Sequence, residues 1–451
     1  MKFKMLLARH LTAPRIFVGS FLLLIVTGTF FLWAPFSVSG KPLRFVDALF
    51  SSTSAVCVTG LTVIDVGRDL SGIGQVATLV LFQLGGLGII TFSVIFFGLM
   101  GRGLSFRGRE ILQSTFLHTP RRDFLRIVRW VLLLTVSIEA VGTLLLFLRF
   151  ARDFPPGRAF FQALYHAVSA FNNCGYSLFA DNLAGFQGDW LINLTVMGLI
   201  VLGGIGFIVL FEVIDFFRGR LKRISLHSKI VLLTTAALIL VGAVFFYFFE
   251  SQNVLAGAST DTRVLSSFFQ SITPRTCGFN TVFIGGLTNA TILMLIILMF
   301  IGASPGSTGG GIKTSSFALL MLMIRGRLQG VDEVNIFNRT VPREILARTV
   351  AIIIAAAISV IAVTSLLLLA DSSGASPGAG RHLFVEYLFE TVSAFGTVGL
   401  SMGVTTQLND IQKLAIIAIM FIGRVGPLTL AFSWNQSRRG LTYAEESVMV
   451  G

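Results

Sequence analysis

The feature that most constrains this chain is a set of long windows without a single charge: residues 16–38, 230–249 and 349–370. About 20 apolar residues in a helix cross the hydrocarbon of a bilayer. No water is available there, so each segment must satisfy its backbone N–H and C=O groups internally, as a helix does. Of the 451 residues, 54% are apolar and only 13% charged, which excludes a soluble chain and predicts a multi-pass helical membrane protein.

The net charge of +13 brings nucleic acid to mind, but its distribution argues against that. Twenty-three of the 35 Lys and Arg residues fall in 1–15, 102–129, 218–229, 325–348 and 438–439, the stretches between and outside the apolar segments. Basic residues gather on the cytoplasmic side of membrane proteins. We therefore expect both termini and all the linkers to face the cytoplasm, with the bilayer rather than nucleic acid as the partner. The apolar run after Lys2, Lys4, Arg9 and Arg15 is too long for a signal-peptide core of roughly 7–15 residues, so it reads as a retained anchor. Three cysteines, Cys57, Cys174 and Cys277, make no disulfide framework, and they have no acidic or His neighbours to bind metal with.

One short turn recurs four times. Set in register on a glycine, the copies are Ser54-Ala-Val-Cys-Val-Thr-Gly60, Ser169-Ala-Phe-Asn-Asn-Cys-Gly175, Ile272-Thr-Pro-Arg-Thr-Cys-Gly278 and Ser393-Ala-Phe-Gly-Thr-Val-Gly399, spaced 115, 103 and 121 residues apart. A fixed recurrence of this kind marks internal repeats. We divide the chain into repeats 1–101, 128–217, 230–327 and 349–437, with linkers 102–127, 218–229 and 328–348 and a tail, 438–451.

Each repeat reads as outer helix, half-helix, turn and inner helix. The segments are 16–35, 45–56, 57–62 and 73–100; 128–148, 159–171, 172–177 and 190–217; 230–249, 264–273, 275–280 and 291–324; 349–370, 383–395, 396–401 and 412–434. The half-helices are too short to span, so they are re-entrant. Irregular backbone at membrane depth is tolerated only beside protein or a water-filled cavity. The predicted fold is an all-α membrane protein with four repeats around one pseudo-fourfold pore. The negative C-terminal ends of its half-helices point at a cation.

Each inner helix also carries a breaker: Gly85-Gly-Leu-Gly88, Gly203-Gly-Ile-Gly206, Gly302-Ala-Ser-Pro-Gly306 and Gly423-Arg-Val-Gly-Pro427. For the first two we expect close packing or a mild kink. The third continues into Ser307, Thr308, Gly309, Gly310, Gly311, Ile312 and Lys313, a run no helix survives. It is similar to a phosphate-binding loop, but the spacing is off by one Ile and no strand precedes it, so we reject a nucleotide site. Directly beneath the turns, it reads as a gate.

A charge at membrane depth is costly and therefore informative. Arg424 lies midway along the last inner helix, level with the third breaker, where it either opposes a permeating cation or clamps the loop by donating to its carbonyls. Glu139 either pairs locally or faces a subunit interface. Glu212 and Asp215 lie near a solvated helix end. Arg275 must point away from the axis into surrounding protein. Asp65 and Asp181 either ring an outer vestibule or are ordinary loop acids. His166, near the second turn, reads as packing.

Thr397-Val-Gly-Leu400 resembles the Thr-Val-Gly-Tyr start of a potassium-channel filter, in which backbone carbonyls replace the water shell of the ion. With the four turns, the 302–314 break, Arg424 and the terminal Tyr443-Ala-Glu-Glu-Ser-Val-Met-Val-Gly451, nearly the whole chain is similar to the K+ transporters of the Trk/Ktr/HKT superfamily. The short stretch before the first repeat favours the Ktr branch. The resemblance implies a K+ filter at Val58, Thr59 and Gly60, at Asn173, Cys174 and Gly175, at Thr276, Cys277 and Gly278, and at Thr397, Val398 and Gly399. It implies a gate of 306–311, Lys313 and Arg424. It further implies a homodimer with one pore per protomer, no cofactor on this chain, Na+ as activator, and a cytosolic RCK regulatory ring (KtrA-like) binding ATP or ADP. The setting would be the bacterial cytoplasmic membrane. Only the fourth turn keeps Thr-Val-Gly, so a uniform ring of four Thr oxygens is absent.

Two other classes compete. A secondary transporter with broken helices predicts two corresponding breaks, one in each half, rather than four turns. An enzyme needs a reactive pair at depth, whereas His10, His118, His166, His227 and His382 all fall at or near segment ends.

Overall fold

Apolar helices dominate the computed structural model, which describes residues 13–88, 124–331, 333–371, 381–427 and 429. The outer helices are Ala13–Trp33, Phe124–Phe150, Leu226–Glu250 and Arg343–Leu369. The half-helices are Phe45–Val56, Pro156–Phe171, Thr260–Ile272 and Arg381–Gly396. Among the described residues the last three outer helices hold segments long and apolar enough to cross a bilayer. Their outward faces carry large apolar side chains such as Val136, Leu233 and Ile361, each more than 60% exposed. Water would tolerate so wide an apolar belt poorly, and lipid requires it.

The four inner helices begin alike because each has a capping side chain at its first turn. Ser71 accepts from Gly74 N, Asp189 from Ile192 N, Thr288 from Thr291 N, and Asn409 from Gln412 N. Each such cap is worth about 1 kcal/mol. The inner helices then end after 12 to 16 residues. The first stops at Gly86, with Leu87 as its cap. Trp190–Ile205 gives way at Gly206, whose φ is +100°, to Phe207–Phe217, with a bend of 103°. Asn289–Phe300 yields to a non-helical loop before Thr314–Leu328, and Asp410–Val425 ends at Gly426, whose φ is +88°.

The bend at Gly206 corrects the expected mild kink. Only glycine adopts that backbone angle freely, so the second inner helix breaks outright. The packing expectation at the neighbouring glycines agrees with the contacts. A Cβ on Gly85 would stand 2.0 Å from Val56 O, on Gly203 1.9 Å from Phe171 O, and on Gly423 1.9 Å from Phe395 O. In three repeats, then, a glycine lets the end of the half-helix rest directly on the inner helix. The rest of the first inner helix, most of linker 102–127, the end of the fourth inner helix and the tail fall outside the described residues. The 328–348 stretch holds a two-stranded hairpin, Asn335–Ile336 with Arg339–Thr340.

The first and fourth repeats lie far apart in the chain but are joined by charge. Lys413 Nζ lies 2.6 Å from Asp47 Oδ1, and Arg44 pairs with Asp410. Lys413 and Asp47 are largely buried, so this pair ties the last inner helix to the first half-helix.

Candidate functional site

Three half-helices hand over to their turns by the same backbone bond. Thr59 N, Cys174 N and Val398 N donate to Ser54 O, Ser169 O and Ser393 O, each at 2.8 Å. The Ser hydroxyl then holds the glycine region: Gly60 N donates to Ser54 Oγ and Gly399 N to Ser393 Oγ, both at 3.1 Å, while Ser169 Oγ donates to Tyr176 O. The third repeat, which lacks Ser-Ala, uses Thr273, whose carbonyl accepts from both Cys277 N and Gly278 N and whose hydroxyl donates to Phe279 O. The Ser-Ala pair in the sequence is therefore a fastening between half-helix and turn.

All four turns share one backbone pattern. Gly60, Gly175, Gly278 and Gly399 have φ of +91°, +76°, +85° and +93°. Two residues earlier, Val58, Asn173, Thr276 and Thr397 also have positive φ, at +52°, +58°, +74° and +50°, whereas Thr59, Cys174, Cys277 and Val398 between them do not. Alternating handedness turns successive carbonyls toward one side, unlike a strand, where they alternate. For β-branched Val58, Thr276 and Thr397 this conformation is strained, so the surrounding bonds must enforce it.

The turns close on one another in a ring. A Cβ on Gly60 would stand 2.1 Å from Cys174 O, on Gly175 2.0 Å from Cys277 O, on Gly278 2.2 Å from Val398 O, and on Gly399 2.3 Å from Thr59 O. Each glycine lies against the carbonyl before the next glycine, first on second, second on third, third on fourth, and fourth back on first. Any side chain would collide with backbone here. The twelve residues picked out in the sequence therefore meet at one place, and their side chains face protein: Val58, Thr59, Cys174, Thr276, Cys277, Thr397 and Val398 are wholly buried.

Beneath the ring lies the 302–313 loop, held by groups from other repeats. Thr308 N and Oγ1 both donate to Gly203 O, at 3.2 and 3.1 Å, and Oγ1 is also 3.2 Å from Phe171 O. Ser304 N donates to Gly204 O and Gly311 N to Gly423 O, while Phe207 N donates to Gly306 O. Gly310 N donates to Thr397 Oγ1 at 2.9 Å, and a Cβ on Gly309 would strike Thr276 Oγ1, so the loop touches two of the turns. Arg424 is buried and donates to Thr308 O, to Gly85 O at 2.6 Å and to Gly86 O at 3.2 Å. Lys313 Nζ folds back on Gly309 O at 2.8 Å. Arg424 thus donates to one carbonyl of the loop and to two of the first inner helix. Ser307 hydrogen bonds within the loop, to Ser304 O.

The other charges take defined places. Arg275 points away from the ring, with Nη2 3.2 Å from Thr235 Oγ1 of the outer helix. Glu139 pairs locally: Asn172 Nδ2 donates to its Oε1 at 3.1 Å and Gln83 Nε2 to its Oε2 at 3.3 Å, which joins repeats one and two. Glu212 accepts from Ser225 N and Ser228 Oγ between helices, a more fixed role than a free solvated end. Asp65 caps a short helix through Gly67 N and Arg68 N, and Asp181 accepts from Gly185 N. The cysteines are free and buried, and among the described residues no cluster of His, Cys, Asp and Glu suits a metal.

Together, the lipid-facing helices, the re-entrant half-helices and the ring of backbone turns define a multi-pass α-helical membrane protein. Residues 11–437 match the TrkH family, described as a cation transport protein, and the chain belongs to that family. It is 36% identical to the Ktr system potassium uptake protein B of Bacillus subtilis, over 98% of this chain and 97% of that protein. It is 37% identical to the protein of the same name from Vibrio alginolyticus, over 97% and 95%. The potassium/sodium uptake protein NtpJ of Enterococcus hirae is 33% identical over 98% of both chains. The crystal structure of the potassium transporter TrkH from Vibrio parahaemolyticus superposes with a TM-score of 0.73 at 20% identity, covering 94% of this chain and 86% of that one, a likeness of fold. Membership puts the chain among transporters rather than enzymes.

His166 packs as expected, stacked on Phe179 and Phe279, but its bond to Ser177 was not anticipated, and Glu390 was not singled out. The signal that would have found them is register: each stands nine residues before its turn glycine.

Proposed function

We propose that the chain is a potassium uptake protein of the Ktr type, with the ring of turns as its selectivity filter. K+ sheds water and is held by backbone carbonyls at Val58, Thr59 and Gly60 and the corresponding residues of the other turns. The observation that carries this reading is the closed ring, in which every glycine abuts the carbonyl preceding the next. Binding through backbone needs no uniform side chains, which fits turns as unlike as Val-Thr-Gly and Asn-Cys-Gly.

The 302–313 loop and Arg424 act as the gate. The loop fills the space under the ring, and the guanidinium fastens it to the ends of the first and last inner helices. Opening requires those bonds to break and the loop to move aside. The protein works as a homodimer in a bacterial cytoplasmic membrane, with its basic linkers on the cytoplasmic side. There they meet a cytosolic RCK ring that binds ATP or ADP, and Na+ promotes uptake. The names of the relatives, with their K+ and K+/Na+ uptake, support the ion assignment.

The test is ion flux into liposomes holding the purified protein, under a K+ gradient, with and without Na+. Selective K+ flux that rises in Arg424→Ala supports a filter above an arginine-held gate. Folded protein that stays silent even with the regulatory ring added rules the reading out.

A further inference from the structure

Behind the ring, repeats two and four share a fastening that repeats one and three lack. His166 and Glu390 occupy the same register, nine residues before the turn glycine, and both are fully buried. Each reaches the serine two residues after that glycine. His166 Nε2 lies 3.0 Å from Ser177 Oγ, and Glu390 Oε1 accepts from Ser401 Oγ at 2.7 Å. His166 Nδ1 is 2.7 Å from Gln162 O, which makes Nδ1 the donor and leaves Nε2 to accept the serine proton. Both serines receive a backbone N–H from two residues on, Phe179 N at 3.0 Å and Gly403 N at 2.9 Å. In repeat four Thr405 Oγ1 also donates to Glu390.

The same position in repeat one is Ser51, whose hydroxyl has no partner among the described residues, and in repeat three it is Phe269. The ring runs first, second, third, fourth, so the two fastened turns face each other across it. At this register the diagonal of repeats two and four is tied to its half-helices by buried side chains and that of repeats one and three is not; repeat three has instead the longer contact of Gln270 Nε2 with Thr281 Oγ1, at 3.5 Å.

We propose that His166 and Glu390 are specificity-setting positioning residues. They fix the outer exit of two opposite turns, and with it the width of the carbonyl ring along that diagonal. Neither touches the ion. Discrimination between K+ and the smaller Na+ requires that the ring not shrink onto Na+, and these bonds resist the shrinkage. The inference rests on the ring being the filter.

The experiment measures the K+/Na+ flux ratio in liposomes for the full chain and five variants that elute as folded protein. Glu390→Leu removes the bonds from Ser401 and Thr405, and Ser401→Ala removes the first of these; each should lower the ratio about tenfold. Glu390→Gln, whose amide oxygen still accepts from Ser401, should stay within about threefold of wild type. Ser51→Ala, the unfastened counterpart, should leave the ratio unchanged. Gly399→Ser reports on the filter itself. An unchanged ratio in both Glu390→Leu and Ser401→Ala, with collapse in Gly399→Ser, overturns the positioning role and leaves the filter standing. An equal loss in Ser51→Ala overturns the diagonal. An unchanged ratio in Gly399→Ser removes the filter reading, and the proposal with it.

Discussion

The ring of turns and the loop beneath it are both glycine-rich and non-helical at membrane depth, yet they are held in opposite ways. Each turn is fastened mainly by its own repeat, through bonds from a half-helix a few residues away. The loop is fastened by others: Gly203, Gly204 and Phe171 of repeat two, Gly423, Arg424 and Thr397 of repeat four. Local bonds form with the repeat and persist while it is folded. Bonds between repeats can break without unfolding any of them, which is why we propose the loop as the part that moves.

That contrast is sharpest at Gly399. A Cβ there would stand 2.3 Å from Thr59 O on a backbone at φ +93°, so Gly399→Ser must displace the ring. We expect the K+/Na+ flux ratio to fall at least tenfold, about 1.4 kcal/mol in relative preference. A ratio equal to wild type would break the comparison at its rigid end.

Arg424→Ala tests the movable end. Hydrogen bonds to a charged group contribute about 1.5–3 kcal/mol each, and Arg424 makes them to Thr308, Gly85 and Gly86. K+ flux should rise about tenfold with the ion ratio intact; lower flux from folded protein would mean that the guanidinium supports the path rather than closes it. Removing 306–311 should act in the same direction.

Lys413→Met probes how repeat four closes on repeat one. It leaves Asp47 without its 2.6 Å partner, and breaking such a largely buried pair costs about 3 kcal/mol or less where water still reaches it. A fall of a few degrees in the unfolding temperature is expected, read from detergent-solubilised protein. An unchanged temperature would show that packing alone closes the ring. The smallest effect belongs to Thr308→Val, which loses the hydroxyl bonds to Gly203 O and Phe171 O but keeps the backbone bond, worth about 1 kcal/mol and a several-fold rise in flux. No rise would place the hold on the loop in Arg424 alone.

Much of this was legible beforehand because the repeats carry their own signatures. The four glycines, the Ser-Ala pairs and the break at 302–314 are local requirements of backbone geometry, and geometry selects residue type at a fixed spacing. Arg424 stood out because an isolated cation in an apolar helix is costly. The sharp bend at Gly206 was not legible in Gly203-Gly-Ile-Gly206, because it is completed by a distant group: Gly306 O reaches across to Phe207 N and takes up the first amide of the new helix.

Sequence alone determined the helical membrane class and the place of the four glycine-centred turns. Each rests on apolar length or on a backbone angle that only certain residues adopt, and both are properties of short stretches. The tertiary structure decided the rest: the order in which the turns meet, the carbonyls that receive Arg424, the ion pair joining the last repeat to the first, and the buried His166 and Glu390 behind alternate turns. These are pairings between residues from about ten to several hundred positions apart. Hydrogen bonding and charge fix what each group needs, and only the packing of the four repeats determines which partner supplies it.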